Sequence, residues 1–309
     1  MSLPEAFRER FCEIYPEDGD SLLRYFEKRP YVTFRINPLK GEKEAVLKEL
    51  AKEGVEIEPV EWCEGAYIAD GSFRDLLTHS TLFEDGKIYI QSLSSMTAPM
   101  VLDPKPGERV LDLAAAPGGK SIMIAALMKN SGWLSVVEPG KGRFFKMKAN
   151  IERSGVKIAR YFMTDGRTVG NKCPMEFDRV LLDAPCTTEA KFKTFDPKTY
   201  AYWSERKIKE MTRLQSRLLA SAIKSLKPGG TLLYATCSFE PEENEAVVDK
   251  AIAKNPDIQV APIDLPLKNI RKGLTSWRKK RFHGSITDTV RILPTDRMEG
   301  FYLAKLVRK

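Results

Sequence analysis

The sequence is poor in the residues that build metal centres and disulfide frameworks. It contains five cysteines, none in a Cys-x-x-Cys pair, and only two histidines, His79 and His283. The ligand spacings of zinc sites are therefore missing, and we expect no metal. An odd number of scattered cysteines also argues against a disulfide framework, so free thiols in a reducing compartment are expected.

Long apolar runs are missing as well. The most apolar stretches, such as residues 122–128, are far shorter than the roughly 20 residues that span a bilayer. The N-terminus lacks the basic start and apolar core of a signal peptide. We therefore expect a cytoplasmic protein that acts without a membrane.

Basic residues outnumber acidic residues in most of the chain. The formal net charge is +8, but residues 1–90 carry 12 Lys or Arg against 19 Asp or Glu, which leaves 38 against 23 in the remainder. This positive remainder favours a polyanionic partner such as RNA. A solvated, lysine-rich surface would give the same counts, so charge alone does not decide.

The pattern of apolar residues divides the chain into two parts. Residues 4–30 read as two short helices ending at a proline, and a small α+β module follows, with strands at 31–36, 55–60 and 66–69 and a helix at 42–52. From Arg109 onward, apolar strands alternate with helices, which indicates a parallel sheet buried on both faces. The predicted strands are 110–113, 133–137, 158–163, 179–182 and 231–235, and the predicted helices are 120–129, 143–153 and 207–226.

A loop of small residues follows the first strand of this second part. Small residues and glycines let a ligand approach the backbone, and the start of the next helix offers free N–H groups and a positive dipole end. The loop satisfies neither the P-loop pattern nor the dinucleotide Gly-x-Gly-x-x-Gly. It comprises Ala114, Ala115, Ala116, Pro117, Gly118, Gly119 and Lys120.

Acidic residues at the ends of the next strands indicate what the loop binds. Glu138 ends the second strand 19 residues after Gly119, where a ribose-binding acid is expected. Asp165 and Asp183 follow the third and fourth strands. Together they predict a cofactor that contains a nucleoside, bound at the carboxyl edge of the sheet.

Two cysteines fall at the same edge. Cys186 follows the fourth strand in Asp183-Ala184-Pro185-Cys186, and Cys237 follows the fifth in Ala235-Thr236-Cys237-Ser238. We expect them to share one pocket, where a thiolate can act as a covalent nucleophile. Asp183 would hydrogen-bond the group that the thiolate attacks. Each cysteine alone reads equally well as a buried core residue, and their shared position favours function.

These motifs resemble the NSUN/Fmu family of RNA (cytosine-5) methyltransferases, and the resemblance runs from about residue 4 to the end. It implies a Rossmann-like class I α/β methyltransferase fold, with a mostly parallel, doubly wound seven-stranded sheet in residues 91–309. It also implies an RRM-like α+β domain in residues 1–90 that positions RNA. Besides both cysteine motifs and the loop, it rests on residues 91–96, 106–112 and 299–306 and on Arg35-Ile36-Asn37-Pro38-Leu39-Lys40.

The resemblance also implies roles for single residues. By this resemblance, Cys237 is the nucleophile that forms a covalent adduct with the cytosine, and Cys186 is the group that releases the adduct. Spacing alone does not show which cysteine has which role. S-adenosylmethionine is the implied cofactor. Its ribose would bind Glu138, its adenine amino group would bind Asp165, and Arg143 would lie near the nucleoside. Its methionine end would contact Ala114, Ala115, Ala116, Pro117, Gly118, Gly119 and Lys120. The implied partner is tRNA or rRNA, bound by a monomer.

One segment departs from the family pattern. The family usually has Cys-Ser-Gly-x-Gly where this chain has Cys186-Thr187-Thr188-Glu189-Ala190. Both glycines are lost, which leaves the conformation of the loop open while keeping every reacting group.

A basic run at residues 271–281 is a second candidate for RNA contact. It holds six Lys or Arg, no acid and Trp277, with Phe282 directly after it. Such a mixture suits phosphate contact and base stacking, although a mobile surface loop has the same composition.

Two other functions stay possible at this stage. An amino-group methyltransferase is disfavoured because it more often carries Asn/Asp-Pro-Pro-Tyr/Phe after the fourth strand. A non-catalytic RNA-binding factor is disfavoured by the intact acids and cysteines.

Overall fold

A computed structural model describes residues 3–29 and 31–309. Pro30, where the sequence predicts the end of the N-terminal helices, lies outside the described residues. Two helices precede it, α1 (Glu5–Ile14) and α2 (Gly19–Leu23). Phe7, Phe11 and Ile14 recur at helical spacing on α1 and are all buried, so they form its packed face.

A four-stranded antiparallel sheet follows these helices. Its order is β2-β3-β1-β4, and Phe34 of β1 and Leu50 of α3 are fully buried in its core. The α+β composition predicted for this part is therefore present. The elements are β1 (Val32–Ile36), α3 (Lys43–Lys52), β2 (Ile57–Pro59), β3 (Ala66–Ala69), α4 (Arg74–Thr78), α5 (Thr81–Glu84) and β4 (Ile88–Ile90).

The rest of the chain builds a larger sheet. The elements are α6 (Leu93–Leu102), β5 (Arg109–Asp112), α7 (Gly119–Leu127), β6 (Trp133–Val137), α8 (Lys141–Arg153), β7 (Ala159–Phe162), α9 (Val169–Lys172), β8 (Phe177–Asp183), α10 (Glu205–Ser225), β9 (Leu226–Thr236), α11 (Glu245–Lys254), β10 (Ile258–Ala261), β11 (Ile270–Lys272), β12 (Ser276–Trp277), β13 (Lys280–Arg281), β14 (Val290–Ile292) and β15 (Phe301–Arg308). Strands β12 and β13 form a separate two-stranded sheet.

The large sheet has the predicted Rossmann-like order. Strands β7, β6, β5, β8 and β9 are parallel neighbours, and β15 adds antiparallel to β9. Successive residues, such as Val110 and Leu111, belong to two different apolar cores, because neighbouring side chains of a strand point to opposite faces. Both faces are covered, which confirms the predicted fold class.

The number of strands differs from the prediction, since the sheet has nine strands rather than seven. The difference arises at β15, whose outer edge pairs with β14 along residues 301–303 and with β10 along residues 305–308. Strand β11 then pairs with β14. Strands β11 and β14 are short, and the periodicity of so few residues does not identify a strand.

Helix α1 packs against the loops that follow β8 and β9. Phe7, Phe11 and Phe26 share an apolar cluster with Phe192 and Phe239, which lie in the loops that carry the two cysteines. This packing brings α1 next to the cysteine loops. In the described part of the chain, no helix has the length and apolar character needed to cross a membrane.

Candidate active site

The two cysteines meet at the carboxyl edge of the sheet. Cys186 Sγ lies 3.3 Å from Cys237 Sγ, although the residues belong to different loops. Both line a cavity of about 510 Å³, together with Asp183 and Lys191. The wall opposite includes the small-residue loop, namely Ala114, Ala115, Ala116, Pro117, Gly119 and Lys120.

The small-residue loop has the shape that its glycines allow. Gly118 has a φ of 106°, a conformation that L side chains rarely adopt, and it starts α7. A Cβ atom at Gly118 would lie 3.0 Å from a side-chain carbon of Ile151 on α8. The turn after β5 therefore needs a glycine here, and the start of α7 faces the cavity through Gly119 and Lys120.

Asp112, at the end of β5, is one of the residues that line the cavity, and its carboxylate is buried. Its Oδ2 accepts a hydrogen bond of 2.6 Å from Ser121, while the buried Oδ1 has no partner within the described residues. Burial raises the pKa of Asp112 to about 6. A free acceptor of this kind suits a ligand with N–H or O–H donors, and the sequence reasoning did not select this residue.

Three predicted cofactor residues differ in how close they come to this cavity. Arg143 lines it and lies 3.4 Å from the buried carboxylate of Glu138, whose other oxygen accepts a 2.8 Å hydrogen bond from the backbone of Gly140. Asp165 does not line the cavity. Its carboxylate forms an ion pair of 2.5 Å with Arg167 at the side of a neighbouring cleft. Its predicted contact with adenine stays a prediction.

Asp183 is held by a cation from the cofactor loop. Lys120 Nζ lies 2.6 Å from Asp183 Oδ2. The pair joins the end of β8 to the start of α7, so the acid predicted to touch the base is tied to the loop predicted to touch the cofactor.

The charges around the two thiols make them unequal. The hydrogen bond shared with Cys186 lowers the pKa of Cys237, burial opposes this, and the Lys191 ammonium lowers it further. The same hydrogen bond, burial and the charge of Glu243 raise the pKa of Cys186. Lys191 is exposed to the cavity, so its charge reaches the thiol through the space that a substrate would enter. Cys237 is therefore the thiol that ionises first.

Two buried carboxylates join the loops that carry the cysteines. Glu243 accepts hydrogen bonds from Thr187 Oγ1, from Thr187 N (3.1 Å) and from Ser238 Oγ (3.0 Å), which are the residues directly after the two cysteines. Glu189 accepts a hydrogen bond from Phe239 N (2.9 Å), and its Oε2 lies 3.2 Å from Ser238 Oγ. Burial raises the pKa of each carboxyl to about 7. This network fixes the position of the two cysteines relative to each other.

Sequence reasoning missed these acids. The signal available was the acid-rich segment just after Cys237, in which Glu240, Glu242, Glu243 and Glu245 follow within eight residues. Acidic runs are usually solvated, so burial of Glu243 was not evident from the pattern.

The departure from the family loop has a definite structure. Thr188 adopts a left-handed conformation with φ 57° and ψ 30°, at the position where the family usually has its first glycine. A β-branched residue is rare in this region because its Cβ crowds the backbone. The loop therefore keeps a glycine-like turn without a glycine.

The Arg-x-Asn segment of the N-terminal part also has a structural role. Buried Arg35 donates to the carbonyl of Gly119 (3.1 Å) and to Gln91 Oε1 (3.0 Å). Asn37 donates to the carbonyls of Gly86 and Ser154, both at 2.8 Å. The segment thus ties β1 to the cofactor loop.

Half of the six cations in the basic run at 271–281 pair with acids of the protein. Arg271 pairs with Asp18 at 2.6 Å, Arg278 with Glu13 at 3.3 Å and Lys280 with Asp249 at 2.8 Å. Trp277 is 9% exposed and packs in the apolar cluster with α1. Trp277 is therefore engaged in core packing, and the suggested contact between this basic run and RNA stays a prediction.

Comparison with known proteins agrees with this geometry. The sequence profile of 16S rRNA methyltransferase RsmB/F matches residues 99–307, and the N-terminal domain profile of 16S rRNA methyltransferase RsmF matches residues 3–93. A tRNA (cytosine(49)-C(5))-methyltransferase of Pyrococcus abyssi is 39% identical, over 96% of this chain and 94% of its own. The 25S rRNA (cytosine-C(5))-methyltransferase nop2 of Schizosaccharomyces pombe is 38% identical over 89% of this chain but only 46% of its own.

Solved structures are similar over the whole length. A methyltransferase homolog protein from Pyrococcus horikoshii is 33% identical, with a TM-score of 0.85, and the match covers 100% of this chain and 96% of that one.

The fold and the cavity define a Rossmann-like methyltransferase. More narrowly, the chain belongs to the RsmB/F group of the NSUN/Fmu family of RNA (cytosine-5) methyltransferases, as the sequence motifs predict.

Proposed function

We propose that this protein transfers a methyl group from S-adenosylmethionine to carbon 5 of a cytosine in tRNA or rRNA, through a covalent adduct on Cys237. The observation that carries the proposal is the 3.3 Å approach of Cys186 and Cys237 inside a cavity that also includes the small-residue loop. Relatives named for tRNA and for rRNA methylation both match most of this chain, so both substrates are included.

The cavity suits the proposed cofactor. Its volume of about 510 Å³ falls within the usual range for ligand sites, and backbone of the small-residue loop forms one wall. The unpartnered Asp112 Oδ1 offers an acceptor for the amino group of a methionine moiety. Arg143 lines the cavity and would approach the nucleoside, with Glu138 behind it at 3.4 Å. When bound there, the cofactor supplies an electrophilic methyl group on a sulfonium.

In the first step, the Cys237 thiolate adds to carbon 6 of the cytosine, and the electron pair of the 5,6 double bond moves toward carbon 5. A depressed thiol pKa favours this attack, because the thiolate is the reacting species. Asp183, held by Lys120, would hydrogen-bond the base as charge develops on it. Carbon 5 then takes the methyl group.

In the second step, the adduct is released. The Cys186 thiolate removes the proton from carbon 5, and the returning electron pair expels Cys237 from carbon 6. The raised pKa of Cys186 arises mainly from its hydrogen bond with Cys237. Once Cys237 is bonded to carbon, its negative charge is gone, so Cys186 can lose its own proton to solvent and act as the base.

Two cysteine variants test the proposal. Cys237→Ala should methylate no RNA and form no covalent complex, because the nucleophile is missing. Cys186→Ala should attack but release slowly, so a protein–RNA band that survives denaturation should accumulate with tRNA and cofactor. The readout is a denaturing gel of radiolabelled RNA.

Cys173→Ala is the matched control, since this thiol does not line the cavity. It should methylate RNA at the wild-type rate without a stable band. A stable band from Cys237→Ala would contradict the assigned order, and wild-type protein that leaves every tRNA and rRNA unmethylated would contradict the activity.

A further inference from the structure

A second cleft lies next to the active-site cavity and shares Ser92 with it. We call it the Lys193 cleft and define it by six of its lining residues, Tyr25, Lys28, Ser92, Lys193, Arg297 and Glu299. Lys193 follows Cys186 by seven residues in the loop that also carries Lys191. The cleft therefore lies beside the place where the target base would meet Cys237.

Lys193 occupies this cleft with an unsatisfied charge. The residue is 8% exposed, and its Nζ atom has no hydrogen-bond partner in the described part of the protein. Nζ lies 4.0 Å from the centre of the Tyr25 ring, a cation–π contact that offsets part of the cost of burial. A buried ammonium without an acceptor is costly, so its presence in a cleft points to an anionic ligand.

The surrounding contacts hold Lys193 in place. Its backbone N–H donates to Thr199 Oγ1 at 3.0 Å, and its carbonyl accepts from Asp196 N at 3.0 Å. Tyr25 donates its hydroxyl to the carbonyl of Ala190 at 2.9 Å, which fixes the ring under the ammonium. The side chain is thus positioned by both the loop and the N-terminal helices.

Two of the other cations that line the cleft have ion-pair partners. Lys28 pairs with Asp296, and Arg297 pairs with Glu58, while Arg29 is exposed. Burial lowers the pKa of Lys193, and the charge of Glu299 opposes this only in part. This leaves Lys193 as a buried cation with unused donors.

We propose that the Lys193 cleft binds a phosphodiester of the RNA strand beside the target cytosine, with the Lys193 ammonium as the contact. The inference rests on the proposed function for the identity of the anion. An RNA phosphate suits the site because a base placed at Cys237 keeps its backbone outside the active-site cavity, and the Lys193 cleft is the neighbouring space. Ammonium groups bind phosphate oxygens as compact charges.

Lys193→Met tests the inference, because it keeps most of the length of the side chain and removes its charge. The dissociation constant of an unmodified tRNA transcript is measured at several salt concentrations without cofactor. We expect affinity to fall about tenfold, as for one charged hydrogen bond. The slope of log affinity against log salt should become shallower by about 0.7 to 1, as for one lost phosphate contact. The melting temperature should stay equal or rise, because a buried charge is removed.

Lys198→Met is the matched control, since Lys198 is an exposed lysine of the same segment outside the cleft. It should change affinity and salt slope less than Lys193→Met does. Wild-type affinity and slope in Lys193→Met would overturn the inference, and so would a loss of affinity accompanied by a lower melting temperature. Because binding needs no turnover, protein that binds tRNA but methylates no RNA would contradict the proposed function alone.

Discussion

At Cys237, a thiol must lose its proton before it can react, and a neighbouring ammonium favours that loss. The hydrogen bond from Cys186 has the largest effect on its pKa, and Lys191 adds a positive charge on the cavity side. Lys191→Met should therefore raise the pKa of Cys237, since the thiolate loses a stabilising cation. The alkylation rate of Cys237 with iodoacetamide, followed by mass spectrometry between pH 6 and 10, should reach half its maximum at a higher pH than in wild type.

Lys146→Met, which removes an exposed lysine of α8, should leave the alkylation profile of Cys237 unchanged. An unchanged profile in Lys191→Met would show that the cation does not act on the thiol. Faster alkylation of Cys186 than of Cys237 in wild type would contradict the inequality of the two thiols.

Part of this site can be predicted from the sequence, and the rest cannot, for a physical reason. The two cysteines follow parallel strands, so their meeting at one edge is predictable from strand order alone, and the structure brings them to 3.3 Å. Lys191, Lys193 and Glu243 lie in the loops beyond those strands. Their positions depend on packing against Tyr25 and on the shared hydrogen bonds of Ser238, which no local pattern reveals.

At the scale of elements, the loop after β8 keeps a left-handed residue without a glycine. Thr188 is exposed at φ 57°, where a β-branched side chain is strained by about 1 to 2 kcal/mol. Thr188→Gly relieves the strain but gives the unfolded chain more freedom, which offsets part of the gain. We expect the free energy of unfolding to rise by about 0.5 to 1 kcal/mol, measured by urea denaturation.

The same substitution at Thr168 provides the contrast. Thr168 has a φ of −97°, so glycine relieves no strain there, and the change removes a 2.8 Å hydrogen bond to the carbonyl of Asp165. Thr168→Gly should lower the free energy of unfolding by about 1 kcal/mol. Equal destabilisation by both substitutions would mean that the loop does not hold Thr188 in the left-handed region.

The regular elements were easier to predict than this loop. Helix α10 was expected at residues 207–226 and is Glu205–Ser225, because its apolar stripe is long and a Pro-Gly-Gly segment follows it. Strand β6 has the predicted bounds. Strands β11 and β14 were not predicted, since each has three residues and acquires its pairing from the sheet. Strand β15, with eight residues, was not among the predicted strands either, so shortness explains only part of what periodicity missed.

At the scale of the whole molecule, aromatic packing joins helix α1 to the cysteine loops. The ring centre of Phe7 lies 5.1 Å from that of Phe192 and 5.7 Å from that of Trp203, both in the segment after Cys186. Phe11 packs edge-on against Phe239, with the two ring centres 5.0 Å apart, and Phe239 lies two residues after Cys237. The division at residue 90 stays a prediction from the sequence, but these contacts predict that the two parts unfold together.

Phe7→Ala tests this coupling, because Phe7 is 1% exposed and its removal leaves a cavity between α1 and the cysteine loops. We expect the free energy of unfolding to fall by about 3 to 5 kcal/mol. Tryptophan fluorescence and far-ultraviolet circular dichroism should shift to lower denaturant by the same amount, since one cooperative transition moves both signals. Phe145→Ala, at a position that is 52% exposed, should change the free energy by less than about 0.5 kcal/mol. Two separate transitions in Phe7→Ala, with the later one unshifted, would show that the N-terminal helices unfold on their own and that their contacts do not stabilise the site.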